Sequence, residues 1–174
     1  MWTQYVSLVK DYPLAAAFIQ FLVLGSVGEV LSGMIRDRSA RYPFGVAKTV
    51  LKAIGWGLLG IYVKFMFQTG VAGVEALVAH GYLPDFAANS SLFSDVSRAF
   101  AISALMNVML GPSMMIFHRL ADNAIDRFLG ARTAGWGGLD RSMKTLVWLW
   151  IPLHTFTFTQ ATEYRIGIAA VLSL

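Results

Sequence analysis

The chain contains no cysteine, which excludes disulfides and thiolate metal sites and leaves the compartment open. Charge is scarce as well: 14% of the 174 residues are Asp, Glu, Lys or Arg, against roughly 25% in ordinary soluble domains. GxSxG, HExxH and P-loop motifs are all missing. The three histidines, His80, His118 and His154, fall in different segments at different expected depths. No clustered acid, base or nucleophile can be assembled from this order of residues, so an enzyme is not expected. The first residues lack the basic leader and small-residue cleavage site of a secretory signal. They read instead as an uncleaved anchor with Trp2 and Tyr5 at a membrane interface.

What is present is apolar. Hydrophobic residues make up 56% of the chain and the mean hydropathy is +0.59. The excess is gathered into runs. Residues 14–35 carry one charge, Glu29; residues 46–67 carry Lys48, Lys52 and Lys64; residues 99–117 and 145–162 carry none. A membrane span needs about 20 mostly apolar residues, so the pattern predicts an all-α, polytopic membrane helix bundle of about four transmembrane helices. A soluble bundle would confine its apolar residues to one face, whereas Ala-Phe-Ala-Ile-Ser-Ala-Leu-Met-Asn-Val-Met-Leu over 99–110 is apolar nearly all round. With no linker, low-complexity tract or strong repeat, residues 1–174 read as a single membrane-embedded domain.

Within the second run, Gly55, Gly57 and Gly60 spell GxGxxG. A dinucleotide-binding turn would need a strand before it, a helix after it and an acid about 20 residues on. Here no alternating strand precedes the glycines and Glu75 comes too early. In a membrane helix the same spacing makes a groove that lets a neighbouring backbone approach. Gly25 and Gly28, with Ser32 and Gly33, mark a similar smooth face on the first helix. Helix packing is therefore expected at Gly25, Gly28, Gly55, Gly57 and Gly60.

The formal charge of +4 and pI of about 9.6 would suggest nucleic acid in a soluble protein. Position argues otherwise. Arg36, Arg38, Arg41, Lys48 and Lys52 crowd the first connection and Arg119, Arg127, Arg132, Arg141 and Lys144 the third, while the second holds Arg98 alone. That alternation follows the positive-inside rule. The second connection, 70–97, opens with an apolar stretch over 70–80 that is too short to cross again, so an interfacial or re-entrant helix is expected there. Gly81 is a candidate cap, and 84–91 has turn chemistry.

Ionisable groups inside membrane helices carry a functional hypothesis by default. Alternating helix directions put Glu29, His118, Arg119 and Asp122 near the basic surface, Lys64, Glu163 and Arg165 near the opposite one, and Asn107 and His154 at mid-depth. Glu29 with His118 or Arg119 is an expected inner pair, and Lys64 with Glu163 an outer one. Glu29 with Arg165 would require helix four to be broken, which Pro152 permits. His154, Thr157 and Glu163 follow helical spacing loosely. Either the threonine hydroxyls bond their own helix, or the set lines a wet path joined by Asn107. His118, Asp122 and Asp126 recur every four residues, a metal-compatible spacing read here as a solvated interfacial face, so no metal or cofactor is assigned.

Taken in order, the four helices resemble the family of the Mpv-seventeen protein and the twenty-two-kilodalton peroxisomal membrane protein. Tyr12-Pro13 and Gly28-Glu29 stand where that family has Pro and Gly-Asp on its first helix, and Gly60, Phe65 and Phe67 resemble its second. Asn107 and Pro112 keep the spacing of its third, with Met106 in place of the acid. Trp150, His154, Thr157 and Phe158 match the fourth, with Pro152 displaced by one and Arg165 near the expected place. The resemblance implies a distant, prokaryotic-type member, a small four-helix membrane protein associated with pore or solute passage. The closing apolar stretch 166–174 resembles a helix cut short.

The expected function is a passive or weakly gated pore or transporter for small polar solutes or ions. Its candidate residues are Glu29, Lys64, Asn107, His118, Trp150, His154, Thr157 and Arg165. The alternative is a non-transporting scaffold whose buried polar pairs serve packing alone. Expected partners are membrane lipid and the solute, with a homo-oligomer left open and nucleic acid excluded. The location is an integral membrane, cytoplasmic in a prokaryote and organellar in a eukaryote.

Overall fold

A computed structural model describes residues 2–88, 91–131 and 135–174, with side chains from residue 3 onward. The Trp2 side chain, Asn89, Ser90 and Arg132 therefore lie outside the described residues. Every regular element among these residues is helical: α1 (Trp2–Asp11), α2 (Pro13–Arg36), α3 (Val46–Ala79), α4 (Leu92–Met109), α5 (Gly111–Phe128), α6 (Leu139–Thr145), a π-helical turn (Leu146–Trp150), α7 (Ile151–Thr159) and α8 (Thr162–Val171). Two of them, α2 and α3, are long and apolar enough to cross a membrane, and α4 with α5 makes a third if the bent pair is one span. The segment expected as a fourth crossing, 145–162, is not one long helix.

The surface of α2 and α3 is inverted relative to a soluble bundle. Ile19, Val23, Val27 and Leu31 recur every four residues on α2 and are exposed, as are Val46, Val50, Ile54 and Leu58 on α3. The inward faces carry small residues, with Ala16, Ala17, Gly25 and Gly28 buried on α2 and Gly57 and Gly60 on α3. Aliphatic ridges of this length facing outward fit a membrane location, and small residues facing inward let two backbones close on each other. A Cβ on Gly60 would lie 2.5 Å from the Ala17 carbonyl oxygen, one on Gly57 2.5 Å from the Phe18 ring, and one on Gly25 2.5 Å from the Trp56 ring. Gly28 abuts the backbone of Ser173 and Leu174. Gly55 departs from the expectation, since nothing lies within 4 Å of the Cβ it would carry. It faces away from α2, because a GxG pair on a helix is turned by about 200° across two residues and cannot put both glycines on one seam.

Pro13 occupies the first turn of α2, where its missing N–H costs nothing. α3 runs on for 34 residues to Ala79, or ~51 Å at ~1.5 Å per residue. Among the described residues no separate interfacial or re-entrant helix follows helix two. The stretch 70–79 continues it, because no proline interrupts the hydrogen-bond ladder and Gly70 and Gly73 serve as contact points for α4. The expected cap at Gly81 is present: it has φ +75°, its N–H bonds the Val78 carbonyl and the Tyr82 N–H reaches back to Leu77, a Schellman closure that favours glycine.

The third predicted helix is longer than expected and broken, with α4 and α5 meeting at Leu110 at an angle of 47°. Pro112 lacks the N–H that would bond one turn back and its ring crowds that turn, which accounts for the kink. Pro152 acts differently. The Ile151 N–H bonds the Leu146 carbonyl, widening the turn just ahead of the proline by one residue into the π form, a feature frequent at functional sites. After α7, Gln160 and Ala161 have extended backbone and the chain reverses. Lys10 lies 3.8 Å from Glu163, Gly167 abuts the Tyr5 hydroxyl, and Leu174 reaches Gly28, so α8 runs alongside α2 in the same direction. The stretch 166–174 is thus the return arm of this hairpin.

Candidate functional site

The helices enclose a cavity of about 180 Å³ whose wall takes residues from α2, α3, α4, α5, the π turn, α7 and α8. Its polar lining is Asn107, His118, His154, Ser173 and the indole of Trp56; Met66, Met106, Met114 and Met115 supply much of the rest. Among the described residues no Asp, Glu, Lys or Arg lines it. A larger hollow of about 640 Å³, lined by Val74, Leu77, Leu83, Phe86, Val96 and Phe100 among others, opens outward and is almost wholly apolar.

At the cavity wall Asn107 and His154 meet. Asn107 Nδ2 lies 2.8 Å from the Ser103 carbonyl oxygen, 3.3 Å from Ser103 Oγ and 3.1 Å from His154 Nδ1. Ser103 Oγ in turn donates to the Ile151 carbonyl at 2.8 Å, which ties α4 to the start of α7 just behind the π turn. Trp150 stacks on the His154 ring at 5.3 Å and Phe67 meets it edge-on at 5.5 Å. The imidazole is therefore fixed on three sides.

At the basic end, Lys52 bridges Glu29 at 2.9 Å and Asp122 at 2.7 Å, joining α2, α3 and α5. Trp56 donates from Nε1 to the second Glu29 oxygen at 3.2 Å, while His118 stands 3.8 Å from Asp122 and 4.8 Å from the Trp56 ring. Since Trp56 and His118 also line the cavity, the ion cluster sits directly beyond its basic end. A second rung, Lys48 to Asp126 at 2.6 Å, follows one turn further out. The first and third connections thus lie at one end of the bundle, as their shared basic character predicts.

Several expected pairings are corrected. Glu29 pairs with Lys52, neither with His118 nor with Arg119, whose guanidinium donates to the Gly137 carbonyl. Glu163 faces Lys10 and leaves Lys64 without an acidic partner among the described residues. Lys64 is half-buried near Arg165, and neither lines the cavity. Glu29 and Arg165 do not meet: helix four breaks at Gln160 and Ala161 and not at Pro152, and α8 returns with Arg165 at the far end, where Nε bonds the Gln160 carbonyl and the guanidinium lies over Phe158. Thr157 is fully buried, yet its hydroxyl bonds the Leu153 carbonyl of its own helix. Thr155 and Thr159 do likewise, so the threonines follow the packing alternative. Asp122 and Asp126 take lysine partners, in place of a solvated face.

From sequence, Lys52 counts only toward the basic first connection and Phe67 and Met106 only toward the family resemblance; Trp56 and the other methionines are not singled out. Lys52 had a legible signal, since Lys48 and Lys52 are four apart on one helix and Asp122 and Asp126 four apart on another, which suits a two-rung ladder between antiparallel helices. The methionines had none, because a core methionine and a cavity methionine are alike in sequence. No family model, curated protein or solved structure matches the chain. The class that the fold defines is an all-helical protein with two to three candidate membrane spans around a central cavity.

Proposed function

We propose that the protein is a small integral membrane pore or carrier for small polar solutes, with its path through the central cavity. In this reading α2, α3, the bent α4–α5 pair and the π-interrupted run from α6 through α7 make four crossings, and α8 dips back from the far end to line the path. The observation that carries the proposal is the cavity itself: it lies among all the long helices and presents Asn107 and His154 in its wall, where a purely packed core would place apolar groups. The Glu29–Lys52–Asp122 cluster closes the basic end and serves as the gate. Asn107, Trp150 and His154, three of the positions behind the likeness to the Mpv-seventeen family, line this cavity, and we propose kinship on that ground.

Purified protein in liposomes should raise the flux of small solutes above that of empty vesicles. Lys52→Met should raise it further by loosening the closed end. Flux equal to empty liposomes for every solute, with folded protein present, would end the proposal. The scaffold reading keeps one observation in its favour, the return of the Thr155, Thr157 and Thr159 hydroxyls to their own helix. Replacing Asn107 and His154 together with Leu and Phe separates the two: a scaffold keeps its assembly, whereas a pore loses its flux.

A further inference from the structure

The hydrogen bonds around Asn107 fix which proton His154 carries. The Ser103 carbonyl, 2.8 Å from Asn107 Nδ2, only accepts, so the nearer Asn107 atom must be the amide nitrogen and not its oxygen. That NH₂ group has two hydrogens. One serves the Ser103 carbonyl; the other points to His154 Nδ1 at 3.1 Å, with Ser103 Oγ a longer, shared contact whose own proton is spent on Ile151. A donor facing Nδ1 requires Nδ1 to be the unprotonated nitrogen. Neutral His154 therefore carries its hydrogen on Nε2.

Nε2 makes no hydrogen bond to any described residue, although His154 is only 8% exposed, and the residue lines the cavity. Asn107 Oδ1 likewise accepts no hydrogen bond among the described residues. Where these two residues meet, the cavity thus offers one N–H donor and one carbonyl acceptor; His118, Ser173 and the Trp56 indole are its other polar lining, and the rest is aromatic, aliphatic and thioether. Such a wall excludes charge: with no Asp, Glu, Lys or Arg among its described lining residues, an ion of either sign would lose its hydration without gaining a counter-charge. At His154 it also disfavours a soft metal: thioethers and imidazole would suit Cu(I), but the His154 nitrogen left without a protein partner holds a proton in place of a free lone pair.

We infer that the cavity binds an uncharged, hydrogen-bond-accepting small molecule, an amide or hydroxyl compound, whose oxygen takes the His154 Nε2–H while its apolar body lies against Trp150 and the methionines. This rests on the pore reading for its physiological sense, since it names the class of solute that would pass, but the binding stands or falls by itself. A volume of about 180 Å³ corresponds to roughly six waters at ~30 Å³ each, room for a compact ring or a short polyol.

Benzamide, benzamidinium and benzoate share one size and shape and differ in charge. Their binding to the full chain in nanodiscs is measured by calorimetry, with protein-free nanodiscs as blank. Benzamide should bind at least ~10-fold more tightly than either ion, because an unpaired charge in an apolar cavity costs more than a neutral hydrogen bond returns. His154→Phe keeps the stack and removes the donor, so it should weaken benzamide ~3- to 10-fold; His154→Gln, which retains an N–H, should stay closer to the parent. Equal or tighter binding of either ion, or no binding of any probe to the parent protein, overturns the inference, and this comparison needs no variant to fold. Flux in liposomes with the ions preferred would sink this inference and leave the pore standing. Benzamide binding without flux of any solute would do the reverse.

Discussion

Replacing Lys52 by Met should expose how much the closed end of the bundle depends on one ammonium group. Lys52 is 8% exposed and lies 2.9 Å from Glu29 and 2.7 Å from Asp122. The two carboxylates it bridges are therefore within about 6 Å of each other, and without the lysine they repel by ~3 kcal/mol at an effective dielectric of ~20. Removing one member of a fully buried pair costs ~3–5 kcal/mol; here the carboxylate side chains keep 22% of their exposure, so water screens part of that and ~2–4 kcal/mol is expected. Lys48→Met is the internal control. It has the same chemistry at 2.6 Å, but with partners 31% and 37% exposed, and should cost only ~0.2–1 kcal/mol. Replacing the whole cluster, Glu29→Gln with Lys52→Met and Asp122→Asn, should recover most of the loss, since no uncompensated charge remains. Thermal unfolding in one detergent at one scan rate reads all four proteins, which matters because membrane proteins commonly unfold irreversibly. The electrostatic account is refuted if Lys52→Met melts with its parent, if the two lysine variants cost the same, or if the charge-free variant is no better than Lys52→Met.

The glycines give a paired test on one helix: Gly60→Ala should cost ~1–3 kcal/mol by forcing Ala17 and Phe21 away, whereas Gly55→Ala, with open space around it, should be neutral or stabilise by up to ~1 kcal/mol, both read from melting midpoints. Asn107→Leu removes the donor that selects the His154 tautomer, so the imidazole nitrogens should move from a single Nε2–H form toward a mixture in nitrogen-detected magnetic resonance; an unchanged spectrum would contradict the assignment. It should also cost ~0.5–1.5 kcal/mol through the lost side-chain bond to the Ser103 carbonyl, which keeps its helical N–H partner. Because the parent has no cysteine, Ser39→Cys and Ser142→Cys should label with an impermeant thiol reagent from one face of the membrane and Asp85→Cys from the other. Labelling of Ser39 and Ser142 from opposite faces would overturn the shared-end topology.

Much of the architecture was legible because helices long and apolar enough to cross a membrane leave a coarse signature in sequence. The apolar runs located α2 and the first two-thirds of α3, Pro13 and Gly81 marked a start and a stop, and the basic connections put both ends of the ion ladder on one side. Boundaries failed where an apolar run lacked punctuation: nothing between Phe67 and Gly70 told α3 to end, so it did not. Prolines told where helices break but not how. Pro112 bent its helix, while Pro152 was absorbed by a π turn, a difference set by neighbouring helices that no local pattern encodes.

The sequence by itself determined where the two longest apolar helices run, that Gly25, Gly28, Gly57 and Gly60 would be packing points, and that the two basic connections would share one end. These follow from periodicity, side-chain size and helical rise, which are local quantities. Pairing was decided by the tertiary structure: Lys52 over His118 for Glu29, Lys10 over Lys64 for Glu163, and the reversal that returns α8 along α2 and completes the cavity. Those outcomes depend on how helices rotate about their axes and which come to be neighbours, and a charge buried between three helices takes whichever opposite charge that rotation brings within reach.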